Sequence, residues 1–545
     1  MPMTRGIARS LAVAVALLPP IVLFVDLGTP PLWDPDEGRH AEIAREMLLT
    51  REWLVPQLNF EPYPEKLPAY YWVVAASLRA LPFDSELAAR LPSALLALAG
   101  IWATAWWGAK TFGTRAGLVS ALLLATTAGW VGAGRLAHID GPYSVLLSLA
   151  LLAMGRCLLD ERTSPWPFWI LLALTILVRG PIAVVLAVLT AAVWLVTSGD
   201  WPAVRRLRPL SGALLLVATL GPAAALLEQS QPGYLEAFFW RHNVLRFVSA
   251  NLPGGHEETL LFYVWMTPVL MLPWSLLLPW SILDGARATT TRAERFLLSW
   301  AAVVILFFSL SAAKVVSYVI PALVPFALLI GRSLDLLLEQ PVRKSRVQDP
   351  LLAAGTIVFV SLVLSPLVAY PIAGRLFPMY ADRAVYLLLL APFAVPGLAA
   401  VAMRNRPAVL ASLLASTAAT IIGLYRFGSP TVSSYNSLEV PAALIVDGLP
   451  PEAPLVSYGT TSHSLAFYAR RPVRSLDTIA DASSVLQGTG PAALLTKERH
   501  LEEVRGVIPR ALHYWWESDS KKVLLVNRPP PSHTDSRILL PRGHD

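Results

Sequence analysis

Charged residues and cysteine are both scarce in this chain of 545 residues. Asp, Glu, Lys and Arg make up only 15% of it, whereas a soluble domain carries about a quarter. This shortage excludes an ordinary soluble globular fold. The single cysteine, Cys157, lies inside an apolar segment and excludes an internal disulfide framework.

Long apolar segments recur instead from residue 11 to residue 425. Hydrophobic residues make up 55% of the chain, and its mean hydropathy is +0.54. Many segments could cross ~30 Å of hydrocarbon, so we predict an all-α polytopic membrane protein with about 13 transmembrane helices. The first segment follows Arg5 and Arg9 but lacks a small-residue cleavage site, so we expect a retained anchor. The predicted spans are 11–27, 88–108, 116–134, 142–158, 166–178, 181–197, 209–227, 260–281, 296–311, 316–333, 351–372, 384–402 and 407–425.

The basic residues determine the predicted orientation. The net charge is +7, yet the bases sit mostly in short loops between spans, as the positive-inside rule expects, which argues against nucleic acid as a partner. A cytoplasmic N-terminus puts Lys110, Arg115 and Arg404 inside. This requires 67–82, a short stretch between prolines, to lie in the interface, because counting it as a span would put most of the bases outside. The predicted outer segments are 28–87, 135–141, 228–259 and the tail after 426.

The tail differs in composition from the rest of the chain. From about Ser429 the long apolar runs stop, and strand-like runs such as 453–458 and 522–527 alternate with helix-compatible stretches such as 498–505. We therefore expect a small α/β domain of about 110 residues on the outer face. The predicted domains are a transmembrane domain, 1–428, and an extracytoplasmic domain, 429–545.

The first outer loop begins with a dense polar segment, Trp33–Met47. Asp34 could cap a helix with Pro35 at its first position and Glu37 three residues after the cap, a capping-box pattern. Four apolar residues would share one face of that helix, so we expect an amphipathic helix lying on the membrane. They are Ile43, Ala44, Met47 and Leu48.

This segment can be interpreted structurally or functionally. The acids could merely complement the positive end of the helix. Three acids exceed what capping needs, however, and Asp36 and Arg39 lie three residues apart. A second polar cluster, with Glu65 and Lys66, follows at 63–68. Ionisable groups beside a bilayer are costly to keep, and carboxylates next to cations suit chemistry on a phosphate-bearing lipid.

These polar segments resemble a known family, the bacterial lipid A aminoarabinose transferases, and more broadly the protein O-mannosyltransferase-like GT-C glycosyltransferases. The similar stretches cover residues 30 to about 330 in the order expected of the family. The surroundings of Lys314 depart from the family's Gly-Lys and Leu-Pro-Thr-Tyr pattern. The stretches are Asp36–Met47, Trp53–Pro56, Tyr63–Lys66, His138–Asp140, Arg179–Pro181, Trp240–Phe247 and Phe307–Lys314 with Tyr318.

The resemblance implies a reaction and a location. Such enzymes take a sugar, aminoarabinose-like or a hexose, from a polyprenyl-phosphate carrier and transfer it with inversion to a lipid or protein acceptor. The transfer takes place on the outer face of the bacterial inner membrane. The implied partners are the lipid-linked donor, the acceptor and membrane lipids, and we expect a monomer.

The resemblance also implies site residues. The departing lipid phosphate needs fixed cations, for which we predict Arg39, Lys66, Arg246 and Lys314. An acceptor hydroxyl or amine needs a carboxylate, for which Asp36 is the candidate with Asp140 in support; a phosphate acceptor would need no base. Further pocket residues are Glu37, His40, Tyr63, Arg179 and Tyr318.

Some of these residues have other interpretations. Lys66 could be a snorkelling lysine, Arg246 could contact lipid headgroups, and Asp140 could cap its helix. The resemblance also suggests that Glu65 and His242 bind a divalent metal, although zinc normally has three or four ligands. A secondary transporter or flippase would also place charges beside the membrane. It should contain two similar halves, and the sequence contains no such repeat.

Overall fold

The computed structural model of the chain describes residues 5–529, except 82–84, 250–257, 286–289, 343–347, 377–387, 430–436, 489, 508–511 and 518–520. The chain forms two compact units that alternate along the sequence. The first comprises Met1–Val25, Pro64–Tyr70 and Pro92–Gly428. The second comprises Asp26–Tyr63, Tyr71–Leu91 and Ser429–Asp545. The start of the predicted span 384–402 and the last residues, 530–545, lie outside the described residues.

Helices dominate the described residues. Up to residue 428 the α-helices are α1 (Arg5–Phe24), α2 (Asp36–Thr50), α3 (Ala69–Ala80), α4 (Glu86–Phe112), α5 (Thr114–Ala125), α6 (Ala128–Arg135), α7 (Asp140–Leu159), α8 (Trp166–Arg179), α9 (Ile182–Ser198), α10 (Pro209–Ser230), α11 (Arg246–Val248), α12 (Phe262–Leu270), α13 (Leu278–Gly285), α14 (Arg292–Leu310), α15 (Leu323–Glu339), α16 (Pro350–Leu376), α17 (Ala391–Ala402) and α18 (Arg406–Gly423). Short 3₁₀-helices cover Trp201–Leu207, Trp274–Leu277 and Val316–Ala322, and π-helices cover Glu236–Leu245 and Leu424–Gly428.

Seven helices of the described chain are long and apolar enough to cross a membrane, or nine if each of two bent pairs is one span. The predicted spans 116–134 and 260–281 are these bent pairs, with bends of 63° and 114°. Pro273 lies at the second break, where its missing N–H interrupts the helical hydrogen bonds. The sequence pattern did not reveal either bend, because both sides of each break are apolar.

Helix α3 occupies the stretch whose membrane placement decided the predicted orientation. It has 12 residues, which corresponds to about 18 Å at 1.5 Å per residue. This length falls short of the ~30 Å hydrocarbon core. Helix α17, a predicted span, has the same 12 residues, so helix length does not distinguish the two placements, and the interfacial position of 67–82 stays a prediction.

Two sets of hydrogen bonds stabilise helix ends in the first unit. Helix α14 begins with a capping box, in which the Thr291 side chain accepts from the Glu294 N–H and the Glu294 carboxylate accepts from the Thr291 N–H. The buried Arg135 guanidinium donates to the carbonyl groups of Val22 and Leu23 at 2.8 and 3.0 Å. This arginine satisfies carbonyls that the end of α1 leaves without helical partners.

The tail of the chain contributes a mixed five-stranded sheet to the second unit. Its strands are β3 (Leu455–Tyr458), β4 (Arg474–Leu476), β5 (Ala493–Lys497), β6 (His513–Glu517) and β7 (Lys522–Val526), after a two-stranded hairpin of β1 (Gln57–Leu58) and β2 (Glu61–Pro62). The order is β4-β3-β5-β7-β6, in which β3 is parallel to β4 and β5 while β7 is antiparallel to β5 and β6. The helices here are α19 (Glu439–Gly448), α20 (His463–Ala469), α21 (Ile479–Leu486) and α22 (Leu501–Val507), with a 3₁₀-helix at Glu498–His500.

The sheet is covered by apolar side chains on both faces. Leu495 and Leu524 belong to one buried cluster, whereas their neighbours Leu494 and Val523 belong to another. Successive residues of a strand point to opposite faces, so β5 and β7 are buried on both sides. This explains why both strands contain a continuous apolar run, 493–495 in β5 and 523–526 in β7, without an alternating pattern.

Helix α2 differs from its prediction in two ways. Pro35 precedes it without a side-chain cap, and the Asp34 carboxylate accepts instead from Ser464, so the predicted capping box is wrong. The helix is also buried along most of its length, including Glu42 and Arg45. These two charges form a bidentate pair at 2.7 Å, which allows the polar side of the helix to be buried. An amphipathic helix on the membrane surface is therefore also wrong.

Candidate functional site

The first turn of α2 presents an ion pair in the second unit. The guanidinium of Arg39 donates to the carboxylate of Asp36 three residues earlier, so both lie on one side of the helix. The side chain of Asp36 is 44% exposed and that of Arg39 is 23% exposed. These two groups are therefore accessible in a helix that is otherwise largely buried.

Glu37 has a different environment from its neighbour Asp36. Its carboxylate accepts from the Arg90 guanidinium at 2.7 and 2.8 Å and from the Trp33 N–H at 3.1 Å. Arg90 also donates to the carbonyl groups of Leu27 and Pro30, so one buried arginine holds the chain entering α2. Glu37 fixes the helix position, and its predicted place in the substrate pocket gains no support from this geometry.

His40 and Tyr63 are both buried in the second unit. The His40 Nδ1 atom lies 3.2 Å from the Tyr71 hydroxyl, and the two rings are tilted against each other. Helix α3 supplies Tyr71, so this contact joins α2 to the helix that follows the second polar cluster. The backbone N–H of Tyr63 donates to the Pro56 carbonyl at 2.7 Å.

A buried ion pair forms in the first unit. Asp140 is the first residue of α7, and its carboxylate pairs with Arg179, the last residue of α8, and accepts from the Ser317 hydroxyl. Ile139, and not Asp140, is the N-cap residue of α7, so the capping role considered for Asp140 is wrong. The Arg-Gly-Pro motif explains the local turn, because Gly180 has φ +106° and Pro181 precedes the first turn of α9.

Aromatic rings fix the Arg179 guanidinium further. It lies 4.9 Å from the ring centre of Tyr318 and 5.5 Å from that of Tyr143, within the range of cation–π attraction. The Tyr143 hydroxyl is buried and has no hydrogen-bond partner among the described residues. Arg179 is thus held by a carboxylate and by two rings.

Five of the predicted site residues line one pocket in the first unit. They are Glu65, Lys66, Arg179, His242 and Tyr318. The Tyr234 hydroxyl donates to the Lys66 carbonyl at 2.5 Å, which ties the turn carrying Glu65 and Lys66 to the segment before the π-helix of His242. A π-helix widens the backbone locally and often occurs at functional sites.

The two remaining predicted cations are less directly placed. Lys314 is buried, and its ammonium group donates to the Ser311 carbonyl at 2.7 Å. Its neighbours Ser311 and Ala313 line the pocket, whereas Lys314 itself is not one of the described residues that line it. The backbone of Arg246 begins α11, and its side chain lies outside the described residues.

The predicted metal ligands Glu65 and His242 line the same pocket. No third His, Cys, Asp or Glu completes a compact ligand group with them in the described part of the chain. A carboxylate and an imidazole are suitable donors, but zinc normally takes three or four protein ligands. Metal binding here therefore stays a prediction.

Sequence reasoning missed three residues that build these sites: Arg90, Ser317 and Tyr234. Arg90 had a signal, because an arginine within a predicted apolar helix is costly unless it is paired. Ser317 and Tyr234 had none, because serine and tyrosine are common near membrane surfaces. Their roles depend on contacts 177 and 168 residues away in sequence.

Known proteins resemble both the sequence and the fold. The family profile of the dolichyl-phosphate-mannose-protein mannosyltransferases matches residues 63–224. The undecaprenyl phosphate-alpha-4-amino-4-deoxy-L-arabinose arabinosyl transferase of Edwardsiella ictaluri is 27% identical over 63% of this chain and 64% of its own length, which is less than two thirds of that relative.

A second relative extends the sequence match. The protein of the same name from Pseudomonas paraeruginosa is 30% identical over 391 residues, which cover 69% of this chain and 68% of that protein. The crystal structure of ArnT from Cupriavidus metallidurans bound to undecaprenyl phosphate is similar to the fold, with a TM-score of 0.81, 22% identity, and coverage of 95% of this chain and 98% of that one. The chain belongs to the aminoarabinose transferase family of GT-C fold membrane proteins.

Proposed function

We propose that this protein is an inverting glycosyltransferase that moves an aminoarabinose-like sugar from a polyprenyl-phosphate carrier to an envelope acceptor such as lipid A. The names of its relatives support this donor and this reaction. The observation that best supports the proposal is the pocket of the first unit, where Lys66 and Arg179 supply positive charge beside aromatic and polar side chains. An anionic lipid phosphate requires such fixed charge as it departs.

The proposed reaction is a single displacement. An acceptor oxygen attacks the anomeric carbon from the side opposite the phosphate, and the bond from that carbon to the phosphate oxygen breaks. The electron pair leaves with the polyprenyl phosphate, whose charge is balanced by Lys66, Arg39, Arg246 and Lys314. A hydroxyl acceptor gives its proton to Asp36, whereas a phosphate acceptor needs only to be oriented.

Asp140 and Arg179 have a supporting role in this proposal. Because Asp140 is paired with Arg179 and hydrogen-bonded to Ser317, it is poorly suited to accept a proton. It is well suited to fix the guanidinium against the Tyr318 ring. Arg179 then presents a constant charge to the pocket, and preorganised charge of this kind stabilises a transition state without reorganisation.

The proposed topology keeps the predicted 13 spans. Four shorter apolar helices, Ala8–Phe24, Trp166–Arg179, Ile182–Ser198 and Pro392–Ala402, would cross the membrane in addition to the longer ones. The N-terminus would be cytoplasmic, with the site and residues 429–545 outside the bacterial inner membrane. The division into domains 1–428 and 429–545 and the monomeric state belong to the same proposal.

Reconstitution tests the proposed function. Purified protein in proteoliposomes would receive undecaprenyl-phosphate-linked 4-amino-4-deoxy-L-arabinose and lipid A. We expect sugar on lipid A and release of one equivalent of undecaprenyl phosphate, with both lowered by ~10²-fold in Lys66→Ala. Movement of the intact donor across the bilayer without its cleavage would overturn the proposal in favour of a flippase.

A further inference from the structure

We propose that the tail of the chain positions the start of α2, through a latch formed by Asp34, Ser464 and Lys522. This inference rests on the proposed function, because it gives Asp36 and Arg39 a reason to be held in a fixed place. All three latch residues and α2 belong to the second unit. The latch residues are positioning residues, and none of them is assigned a contact with substrate.

The hydrogen bonds of the latch involve a buried carboxylate. The Ser464 N–H donates to Asp34 Oδ1 at 2.7 Å, and the Ser464 hydroxyl donates to Asp34 Oδ2 at 2.8 Å, across 430 residues of sequence. Ser464 lies at the start of α20, where a carboxylate is favoured by the helix dipole. Both oxygens of Asp34 therefore have defined partners, and the residue two positions before Asp36 cannot turn freely.

Lys522 supplies charge to the latch from strand β7. Its ammonium nitrogen lies 3.8 Å from Asp34 Oδ2, and the two side chains are 9% and 1% exposed. Burial raises the pKa of Asp34, and Lys522 opposes this effect. Since 3.8 Å exceeds hydrogen-bond length, the two bonds from Ser464 set the geometry while Lys522 compensates the buried charge.

Gly38 explains how closely the two segments approach. A Cβ atom at this position in α2 would lie 2.5 Å from the Ser464 backbone nitrogen and 2.8 Å from Asp34 Oδ1. Only glycine leaves room for this contact, although glycine weakens a helix relative to alanine. The glycine between Glu37 and Arg39 is thus required by the latch.

A second contact from α20 supports the same segment. The Leu32 N–H donates to the Tyr468 hydroxyl at 2.8 Å, and that hydroxyl donates to Glu86 at 2.9 Å. Ser464 and Tyr468 are four residues apart and share one face of the helix. This face of α20 therefore holds the chain at both Leu32 and Asp34, directly before the first turn of α2.

The effect of the latch on catalysis depends on how far Asp36 would move without it. A reacting group displaced by about 1 Å can cost on the order of 10²-fold in rate. Release of the latch would let the first turn of α2 move while the sheet remains folded. We expect the loss in kcat, because Asp36 acts in the chemical step.

Kinetics of the full-length protein test the latch with four variants. Asp34→Ala removes it, Gly38→Ala separates its two sides, and Ser464→Thr keeps both donors. Leu494→Ala is the control, because Leu494 is buried in the sheet cluster that excludes the latch residues. We expect kcat to fall on the order of 10²-fold in the first two variants with the donor KM changed far less, and to stay near wild type in the other two, although Leu494→Ala lowers Tm.

Hydrogen exchange gives a readout that needs no activity. In Asp34→Ala the amides of the first turns of α2 should exchange faster, while those of β5 and β7 keep their protection. Unchanged exchange in α2, or a kcat loss in Leu494→Ala equal to that in Asp34→Ala, would overturn the latch. Absence of sugar transfer by the wild-type protein would instead overturn the proposed function, and faster exchange would then still report the physical contact.

Discussion

Two acid–arginine pairs differ in their exposure to solvent and in the elements that supply them. Asp36 and Arg39 are neighbours on one helix and are partly exposed, whereas Asp140 and Arg179 come from two helices and Asp140 is 4% exposed. An accessible carboxylate can exchange protons and contact a substrate. The Asp140 carboxylate is instead occupied by Arg179 and the Ser317 hydroxyl. The difference supports the proposed roles, which are chemistry for Asp36 and orientation for Asp140.

The largest effect on activity is expected at the exposed pair. Asp36→Asn should lower transfer to hydroxyl acceptors by ~10²–10⁴-fold, the usual cost of losing a general base. Transfer to a phosphate acceptor should fall less. Initial rates of the variant and the wild type with both acceptor classes provide the measurement.

A matched control for this variant is Asp477→Asn, since Asp477 is exposed on the tail of the chain. It should transfer sugar at the wild-type rate. If Asp36→Asn also keeps most of its activity with every acceptor, then Asp36 is only a charge at a helix end, and the contrast between the two pairs loses its functional meaning.

The next effect concerns the pocket lysine. Lys66→Ala should lower turnover by ~10²-fold, the scale seen when one donor to a developing oxyanion is removed. Arg39→Ala should behave similarly. Arg404→Ala, which changes an exposed arginine in the loop between α17 and α18, should leave turnover nearly unchanged. Equal losses in all three variants would show that folding, and not phosphate binding, is being measured.

The buried pair should matter first for stability. Asp140→Ala leaves the Arg179 charge without its carboxylate, and breaking a buried pair typically costs ~3–5 kcal/mol. The double variant Asp140→Ala/Arg179→Met removes both charges and should recover much of that loss. Thermal unfolding in detergent measures both. If the double variant is as unstable as the single one, the carboxylate stabilises the unit through Ser317 and not through Arg179.

The sequence predicted the elements that depend on local pattern. Hydropathy placed α7 and α14 within a few residues of their observed bounds, because a long apolar run has few alternatives beside a membrane. The resemblance to the family also identified five of the residues that line the pocket. Long-range contacts could not be predicted in this way. Asp34 was assigned to a local cap, and its partner lies 430 residues away.

The smallest expected effect concerns Glu46, a third kind of acid in α2. Burial, together with the neighbouring Glu42, raises the pKa of Glu46 to about 8. The folded protein therefore keeps this proton while the unfolded chain releases it at the ordinary value near 4.5, so stability falls as pH rises from about 4.5 to about 8. Glu46→Gln has no proton to lose, and its advantage should grow over that interval.

The size of that advantage should remain modest, on the order of 1–3 kcal/mol at pH 8, because the Phe60 N–H donates to the Glu46 carboxylate at 2.9 Å and reduces the cost of its charge. Thermal unfolding of Glu46→Gln and wild type at pH 5 and pH 8 measures it. At pH 5 the two Tm values should nearly coincide, and at pH 8 the variant should unfold at the higher temperature. A constant difference at both pH values would mean that Glu46 is ionised in the folded protein. Helix α2 would then carry one ionised carboxylate in its interior, at Glu46, and another near solvent, at Asp36. Exposure would no longer distinguish reactive acids from structural acids in this helix.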